Sequence, residues 1–147
     1  MEGLERIVRE HSFFSGMKRE YTDIISGCAK NVRFEAGDYL FHEGECADQL
    51  YLLRSGRVAL EVETGGEVVL QTVGESEIVG ASWLVPPYRR GLSAKALELT
   101  RAISLDATCL RGKCEDNHDL GYEMMKRFMP ILIQRLRAAR LQILEKR

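Results

Sequence analysis

The chain has 147 residues, a length that suits one compact domain with a core of its own. Hydrophobic residues make up 45% and charged residues 29%, and the formal net charge is −1, so the bulk charge calls for neither nucleic acid nor a membrane surface. The charged start Met1-Glu2-Gly3-Leu4-Glu5-Arg6 leads into no signal-type apolar run, and the longest greasy stretch, residues 128–133, falls far short of the ~18 residues a membrane span needs. A cytoplasmic protein with no membrane segment is expected.

Residues 1–30 read as helices. Leu4, Ile7 and Val8 form one small apolar face, and Tyr21, Ile24, Ile25 and Cys28 form another at helical spacing. The segment from His11 to Met17 breaks them, with Ser12 or Ser15 available to cap the second helix. From Val32 the period shortens. β-prone runs at 32–34, 39–41, 49–53, 58–62 and 68–73 are separated by Gly37, Gly44, Gly56, Gly65-Gly66 and Gly74, the pattern of an all-β sandwich or roll. Val58, Leu60 and Val62 alternate with Ala59, Glu61 and Glu63, which predicts a strand wet on the second set's face. Thr64-Gly65-Gly66-Glu67 reads as a tight hairpin, because glycine supplies the positive φ such turns demand.

Ser82-Trp83-Leu84-Val85-Pro86-Pro87-Tyr88-Arg89-Arg90-Gly91 interrupts the strands, and β-like runs resume at 93–97 and 101–105. Asp106 or Thr108 can open a short helix, and Asp116 or Asn117 can cap the last one near His118. In that last helix Met125, Met129, Leu132, Leu136, Ala139 and Ile143 are spaced 4, 3, 4, 3, 4, the seam of a coiled coil. Pro130 lies within it and predicts a kink or a helix boundary. The expected organisation is a single domain over 1–147: N-terminal helices at 1–30, a β-roll at 31–106 and C-terminal helices at 107–147.

The four cysteines, Cys28, Cys46, Cys109 and Cys114, show no C-x-x-C pattern. They read as reduced thiols, many of them filling core, with a redox or metal pair at Cys109 and Cys114 as the alternative. His11, His42 and His118 have no metal-type spacing, and no G-x-S-x-G, P-loop or dinucleotide fingerprint occurs. Neither a catalytic residue nor a metal site is expected.

The gapless run from Phe34 to Val58, FEAGDYLFHEGECADQLYLLRSGRV, resembles the opening of cyclic-nucleotide-binding domains, as found in the bacterial cyclic AMP receptor protein, kinase regulatory subunits and gated channels. The similarity continues through Gly74-Glu75 into the final helix. It implies a mainly β fold with flanking helices, a double-stranded β-helix or jelly-roll. It also implies a phosphate-binding cassette of the pattern Gly-Glu-x-Ala-Leu followed by Arg-Ser/Thr-Ala. There the glutamate accepts from the ribose hydroxyl, and the arginine, with backbone N–H groups nearby, holds the cyclic phosphate.

Here the cassette reads Gly80-Ala81-Ser82-Trp83-Leu84 and then Gly91-Leu92-Ser93-Ala94. Gly80, Ser93 and Ala94 match, while Ala81 stands at the glutamate position and Leu92 at the arginine position. Loss of two charged hydrogen bonds, at ~1.5–3 kcal/mol each, predicts weak recognition of cyclic AMP by the usual chemistry. Ser82 offers a hydroxyl near the missing carboxylate. Arg89 and Arg90 either form a solvated, proline-stiffened loop tip or supply a substitute guanidinium for an anion. Trp83 reads as core or pocket wall, or else as a platform for stacking a base. The Ser-Trp-Leu-x-Pro-Pro-Tyr-Arg stretch also resembles a bacterial subgroup of these domains.

Lys126, Arg127, Arg135, Arg137, Arg140, Lys146 and Arg147 make the last helix basic, as the rim of a dimer seam or as a stripe for phosphate backbones. In the transcription-factor relatives a helix-turn-helix domain follows this helix. No such domain, and no sequence-specific DNA binding, is expected within this sequence. The leading expectation is a non-enzymatic regulatory sensor that homodimerises through the last helix and acts on a protein partner. Its ligand is a cyclic nucleotide or another small anion. The alternative is a ligand-free dimerisation or interaction module whose pocket is closed by Trp83, Leu92 and Phe128.

Overall fold

A computed structural model describes residues 2–63, 68–84 and 86–145. The glycine-punctuated runs become strands β1 (Ala29–Phe34), β2 (Tyr39–Phe41), β3 (Gln49–Ser55), β4 (Arg57–Val62), β5 (Val68–Gly74), β6 (Ile78–Val79), β7 (Ser93–Ala96) and β8 (Thr100–Asp106). They form two antiparallel four-stranded sheets, ordered β1-β8-β3-β6 and β2-β7-β4-β5. The helices are α1 (Glu2–Glu10), α2 (Arg19–Ser26), α3 (Ala107–Asp116) and α4 (His118–Glu145), with a 3-10 turn at Ser12–Phe14. The hairpin expected at 64–67 lies outside the described residues, although β4 and β5 on either side of it pair antiparallel.

β3 explains the layering. Its side chains alternate, but both sets are buried. Leu50 and Leu52 point into a cluster with Val8, Phe14, Ile25, Trp83, Leu110, Leu120, Met124 and Phe128, while Tyr51 and Leu53 join Phe41, Val58, Leu60 and Ala102 between the sheets. The first sheet is therefore the middle of three layers, with helices on one side and the second sheet on the other. The turn from β3 to β4 requires glycine: Gly56 has φ +101°, and a Cβ there would lie 2.7 Å from the Leu99 carbonyl oxygen.

Several sequence expectations are corrected by this packing. The second face of β4 is not wet, since Ala59 and Glu61 are 1% and 5% exposed. The register sets Lys95 opposite both Ala59 and Tyr39, and the Tyr39 hydroxyl donates to Glu61 at 3.3 Å, so long neighbouring side chains cover that face. Neither serine caps α2. Lys18 stands at its N-cap with no side-chain bond, and Ser12 instead donates to the Ser76 carbonyl. Asp106 caps α3 through the Cys109 N–H, and Asn117 accepts from the Leu120 N–H in the first turn of α4.

Pro130 does not end a helix, because α4 runs unbroken from His118 to Glu145. Proline removes a single N–H, and packing on the near side of it, at Met124 and Phe128, anchors the helix regardless. The basic stripe is also interrupted. Arg127 donates to the carbonyls of Phe13 and Ser15 at 2.9 and 2.8 Å, and Arg135 donates to that of Ile78. Both guanidiniums fasten α4 to the body of the protein. Within the apolar seam, Met125 turns partly inward against the first cluster, whereas Met129, Leu132, Leu136 and Ile143 are exposed.

The cysteines do not stay as four thiols. Cys28 and Cys109 form a disulfide, with Cα atoms 5.7 Å apart; Cys114 is a buried free thiol and Cys46 an exposed one. The bonded partners are 81 residues apart, so no spacing motif could pair them, and the Cys109–Cys114 alternative is replaced. Among the described residues no helix is long and apolar enough to cross a membrane.

Candidate functional site

The segment that interrupts the strands folds back over the end of β3. It opens at Gly80, whose φ of +104° and close surroundings exclude a side chain: a Cβ would lie 2.7 Å from Arg90 Nη1 and 3.2 Å from the Gln49 carbonyl oxygen. Ala81–Trp83 then make a 3-10 turn with Ala81 and Ser82 half-buried. Trp83 is fully buried, its ring centre 5.8 Å from that of Phe128 on α4, so it serves as core and not as a stacking platform. Arg111 of α3 donates to the Trp83 carbonyl, and its guanidinium carbon sits 4.1 Å from the centre of the Tyr88 ring. Val85 lies outside the described residues.

Residues 88–90 are clamped to the loop after β2. Ala47 N–H donates to the Tyr88 carbonyl at 2.7 Å, Arg90 N–H to that of Glu45 at 2.8 Å, and Gly44 N–H to that of Arg90 at 2.9 Å. This fixed backbone sends the two arginines opposite ways. Arg89 is exposed and reaches the Gly44 carbonyl and Cys46 Sγ, at 3.5 and 3.3 Å. Arg90 is 4% exposed and lies over the Phe41 ring, 3.9 Å from its centre, with Nη2 donating to the Gln49 carbonyl.

The remaining donors of Arg90 define the chemistry of the site. Its Nε and Nη1 are buried and have no hydrogen-bond partner among the described residues, and no ion pair there includes it. Burial lowers its pKa from the ordinary arginine value, while Tyr51, Asp48 and Glu45 pull the other way. The Tyr51 phenol is raised in turn, by burial first and against the pull of Arg90. A guanidinium keeps its proton even so, and a buried cation with unsatisfied N–H groups is expensive unless an acceptor meets it.

Leu92 is half-buried beside the between-sheet cluster, two residues beyond the guanidinium that lies against Gly80. Ser93 and Ala94 start β7 and are wholly buried. The Ser93 hydroxyl accepts from the Glu43 N–H at 2.8 Å and donates to Glu63, which also meets His42 Nδ1 at 3.1 Å. Those bonds, from Ser93 first and His42 next, hold the Glu63 carboxyl below its usual range. Trp83 and Phe128 do meet, but Leu92 borders the other cluster, so the three do not form one plug. Sequence reading missed Phe41, Gln49, Tyr88 and Arg111. The cassette pattern and the arginine pair signalled the place, but carbonyl acceptors and stacked rings leave no pattern in a sequence.

A glycine-led turn and a buried, partly unpaired arginine thus lie at the end of a two-sheet β-roll. The chain belongs to the cyclic nucleotide-binding domain family: residues 31–117 match the model of that domain. It is 27% identical over 136 residues to a CRP-like cAMP-activated global transcriptional regulator of Mycobacterium tuberculosis, covering 91% of this chain and 59% of the regulator. It is also 31% identical over 94 residues to the cyclic AMP receptor protein of Thermus thermophilus, covering 63% of this chain and 44% of that protein. The chain thus spans about half the length of these curated relatives. A solved structure from Geobacter metallireducens, described as a cyclic nucleotide-binding protein, superposes with a TM-score of 0.81 and 30% identity, covering 92% of this chain and 99% of that one.

Proposed function

We propose that this chain is a non-enzymatic regulatory domain that senses a small anionic ligand, with Arg90 as the anion's anchor. The observation that carries this reading is the buried guanidinium of Arg90, with Nε and Nη1 lacking any hydrogen-bond partner among the described residues. A phosphate or carboxylate oxygen accepting from either donor would make a charge-assisted hydrogen bond to a guanidinium, which keeps its charge where a buried lysine readily loses it. The family supplies the class of ligand, since the relatives above are named for cyclic AMP. Ala81 supplies the departure from it. A methyl group cannot accept from a ribose hydroxyl, so a cyclic nucleotide would be held here by its phosphate and its packing, with one charged contact fewer.

Assembly belongs to the same reading. The exposed Met129, Leu132, Leu136 and Ile143 on α4 support a homodimer through that helix, with Met125 and Ala139 at its half-buried edges. Ligand contact with the 80–90 segment would reach α4 through Trp83 and Phe128, and from there a protein partner. A ligand acts this way only if it prefers one helix arrangement over the other.

The test is calorimetric titration with cyclic AMP, cyclic GMP and cyclic dinucleotides, repeated on Arg90→Gln, Arg89→Ala and Ala81→Glu. Arg90→Gln should weaken any binding about ten- to a hundredfold, the worth of ~1.5–3 kcal/mol for a charged hydrogen bond, and Arg89→Ala should leave it unchanged. Ala81→Glu should tighten cyclic nucleotide binding by a similar factor. Binding that survives Arg90→Gln at full strength would remove Arg90 as the anchor, and an absence of binding in wild type and Ala81→Glu alike would remove cyclic nucleotides as the ligand and leave a different ligand or the interaction module.

A further inference from the structure

We propose that the Cys28–Cys109 bond is a reversible thiol–disulfide exchange site, and that its opening is transmitted through α3 to the 80–90 segment. The bond lies where two chain junctions meet, α2 with β1 and β8 with α3. Its surroundings are tightly laced: Asp106 N–H donates to the Cys28 carbonyl and Ala107 N–H to the Asp48 carbonyl, both at 2.9 Å, while Asp106 caps Cys109 at 2.8 Å. Unlike a staple sunk in a core, it is reachable. A cavity of about 570 Å3 opens onto it, lined by both cysteines with Lys30, Gln49, Asp106 and Thr108. Cys109 is partly exposed and Cys28 is buried, so an incoming sulfur meets Cys109 first.

The reductant is a small dithiol. Its thiolate attacks Cys109 Sγ, the Sγ–Sγ bond breaks, and Cys28 leaves with the electron pair and takes a proton from water. The second thiol of the reductant, as thiolate, then attacks its own sulfur in the mixed disulfide. It departs as a cyclic disulfide and leaves Cys109 reduced, a transfer of two electrons in all. A thiolate on Cys109 would lie in the first turn of α3, the end of a helix that favours negative charge. A disulfide oxidant runs the same steps in reverse.

Two short routes lead from this bond to the candidate site. Arg111, on the same helix as Cys109, donates to Thr108, to the Trp83 carbonyl and stacks on Tyr88, so the helix that holds the sulfur also grips the segment. Gln49 pairs with Asp106 across β3 and β8, and its carbonyl accepts from Arg90. Freed of its covalent tie to Cys28, α3 gains room to shift, and both routes pass that shift to Trp83 and Arg90. The other thiols are free before and after the bond opens: Cys114 is buried, which raises its pKa, and Cys46 is exposed on the loop beside Arg89.

Trp83 is the sole tryptophan, so its emission reads the coupling without any ligand and independently of the proposed function. Native oxidised protein is treated with dithiothreitol, quenched with acid, unfolded and alkylated, and its thiols are counted by mass spectrometry. The count should rise from two to four, with a shift in Trp83 emission that oxidised dithiothreitol reverses. Arg111→Ala should keep the thiol change and lose most of the emission shift. A bond that opens only after unfolding overturns the exchange site. Four thiols with unchanged Trp83 emission overturn the coupling, and a full shift in Arg111→Ala overturns its route through that arginine. The wild-type arms decide the matter even if Cys28→Ser and Cys109→Ser variants fail to fold.

Discussion

The two halves of α4 both carry apolar residues and meet different surroundings. Before Pro130, Leu120, Met124 and Phe128 are buried in the cluster shared by the helices and the first sheet. After it, Leu132, Leu136 and Ile143 are 43%, 52% and 67% exposed. The second half is nonetheless attached to the roll, by polar side chains: Gln134 with Gln71 at 2.9 Å, Gln142 with the Val69 carbonyl at 3.3 Å, and Arg135 with that of Ile78. Periodicity thus identifies an apolar face, and the fold decides whether that face is packed within the protein or left exposed. The largest expected effect separates the halves directly. Phe128→Ala should destabilise the domain by about 3–5 kcal/mol in urea unfolding, as loss of a buried aromatic ring does. Leu136→Ala, measured at a dilution where the chain is monomeric, should shift it by no more than ~0.5 kcal/mol. Equal losses in the two variants would mean that the halves are packed alike.

A smaller effect tests what covers the second half. If two copies meet along Leu132, Leu136 and Ile143, Leu136→Glu should weaken their association by about thirtyfold or more, the ~2 kcal/mol that marks a central interface residue. Sedimentation equilibrium over a concentration series measures it, with Phe128 left intact to keep the fold. A wild-type chain that stays monomeric at every concentration would break the homodimer reading and assign the seam to a different partner.

Much of the roll was legible because glycine and strand period are local signals. β2 to β5, β7 and β8 fall on runs visible in the sequence, β1 starts at Ala29 inside the stretch read as helix, and β6, unseen, has two residues. What was not legible came from contacts between distant parts. Glu61 looked wet by alternation and is covered by Tyr39, from a strand 22 residues away. Cys28 found Cys109 only because β1 and β8 pair antiparallel, which sets the end of α2 beside the start of α3. At the candidate site the arginine pair was visible, but which member turns inward depended on the pairing of 88–90 with the loop at 44–47. Helical spacing likewise could not reveal that Arg127 and Arg135 bend back to backbone carbonyls and leave the basic stripe.

The smallest effect is graded by pH and falls on the packed half alone. His11 lies at the 3-10 turn against which α4 docks. Its Nδ1 accepts from the Phe13 N–H at 3.2 Å, its Nε2 bonds the Leu53 carbonyl at 2.9 Å, and Arg127 donates to the Phe13 carbonyl. A ring that both accepts and donates is neutral, and protonation would abolish the acceptor. Burial lowers the folded pKa of His11 below 6.5, outweighing the opposite pull of the Leu53 carbonyl. The unfolded chain therefore binds this proton first. Stability from His11 is fully present above pH 6.5 and is lost as the pH falls through that value toward the lower folded pKa. Unfolding midpoints in urea should decline over that window in wild type and stay level in His11→Gln, which keeps an acceptor and a donor without a titrating ring. Of the other nearby side chains, Glu10, Arg54 and Glu75 line the same hollow. A decline of equal slope in His11→Gln would place the titration elsewhere.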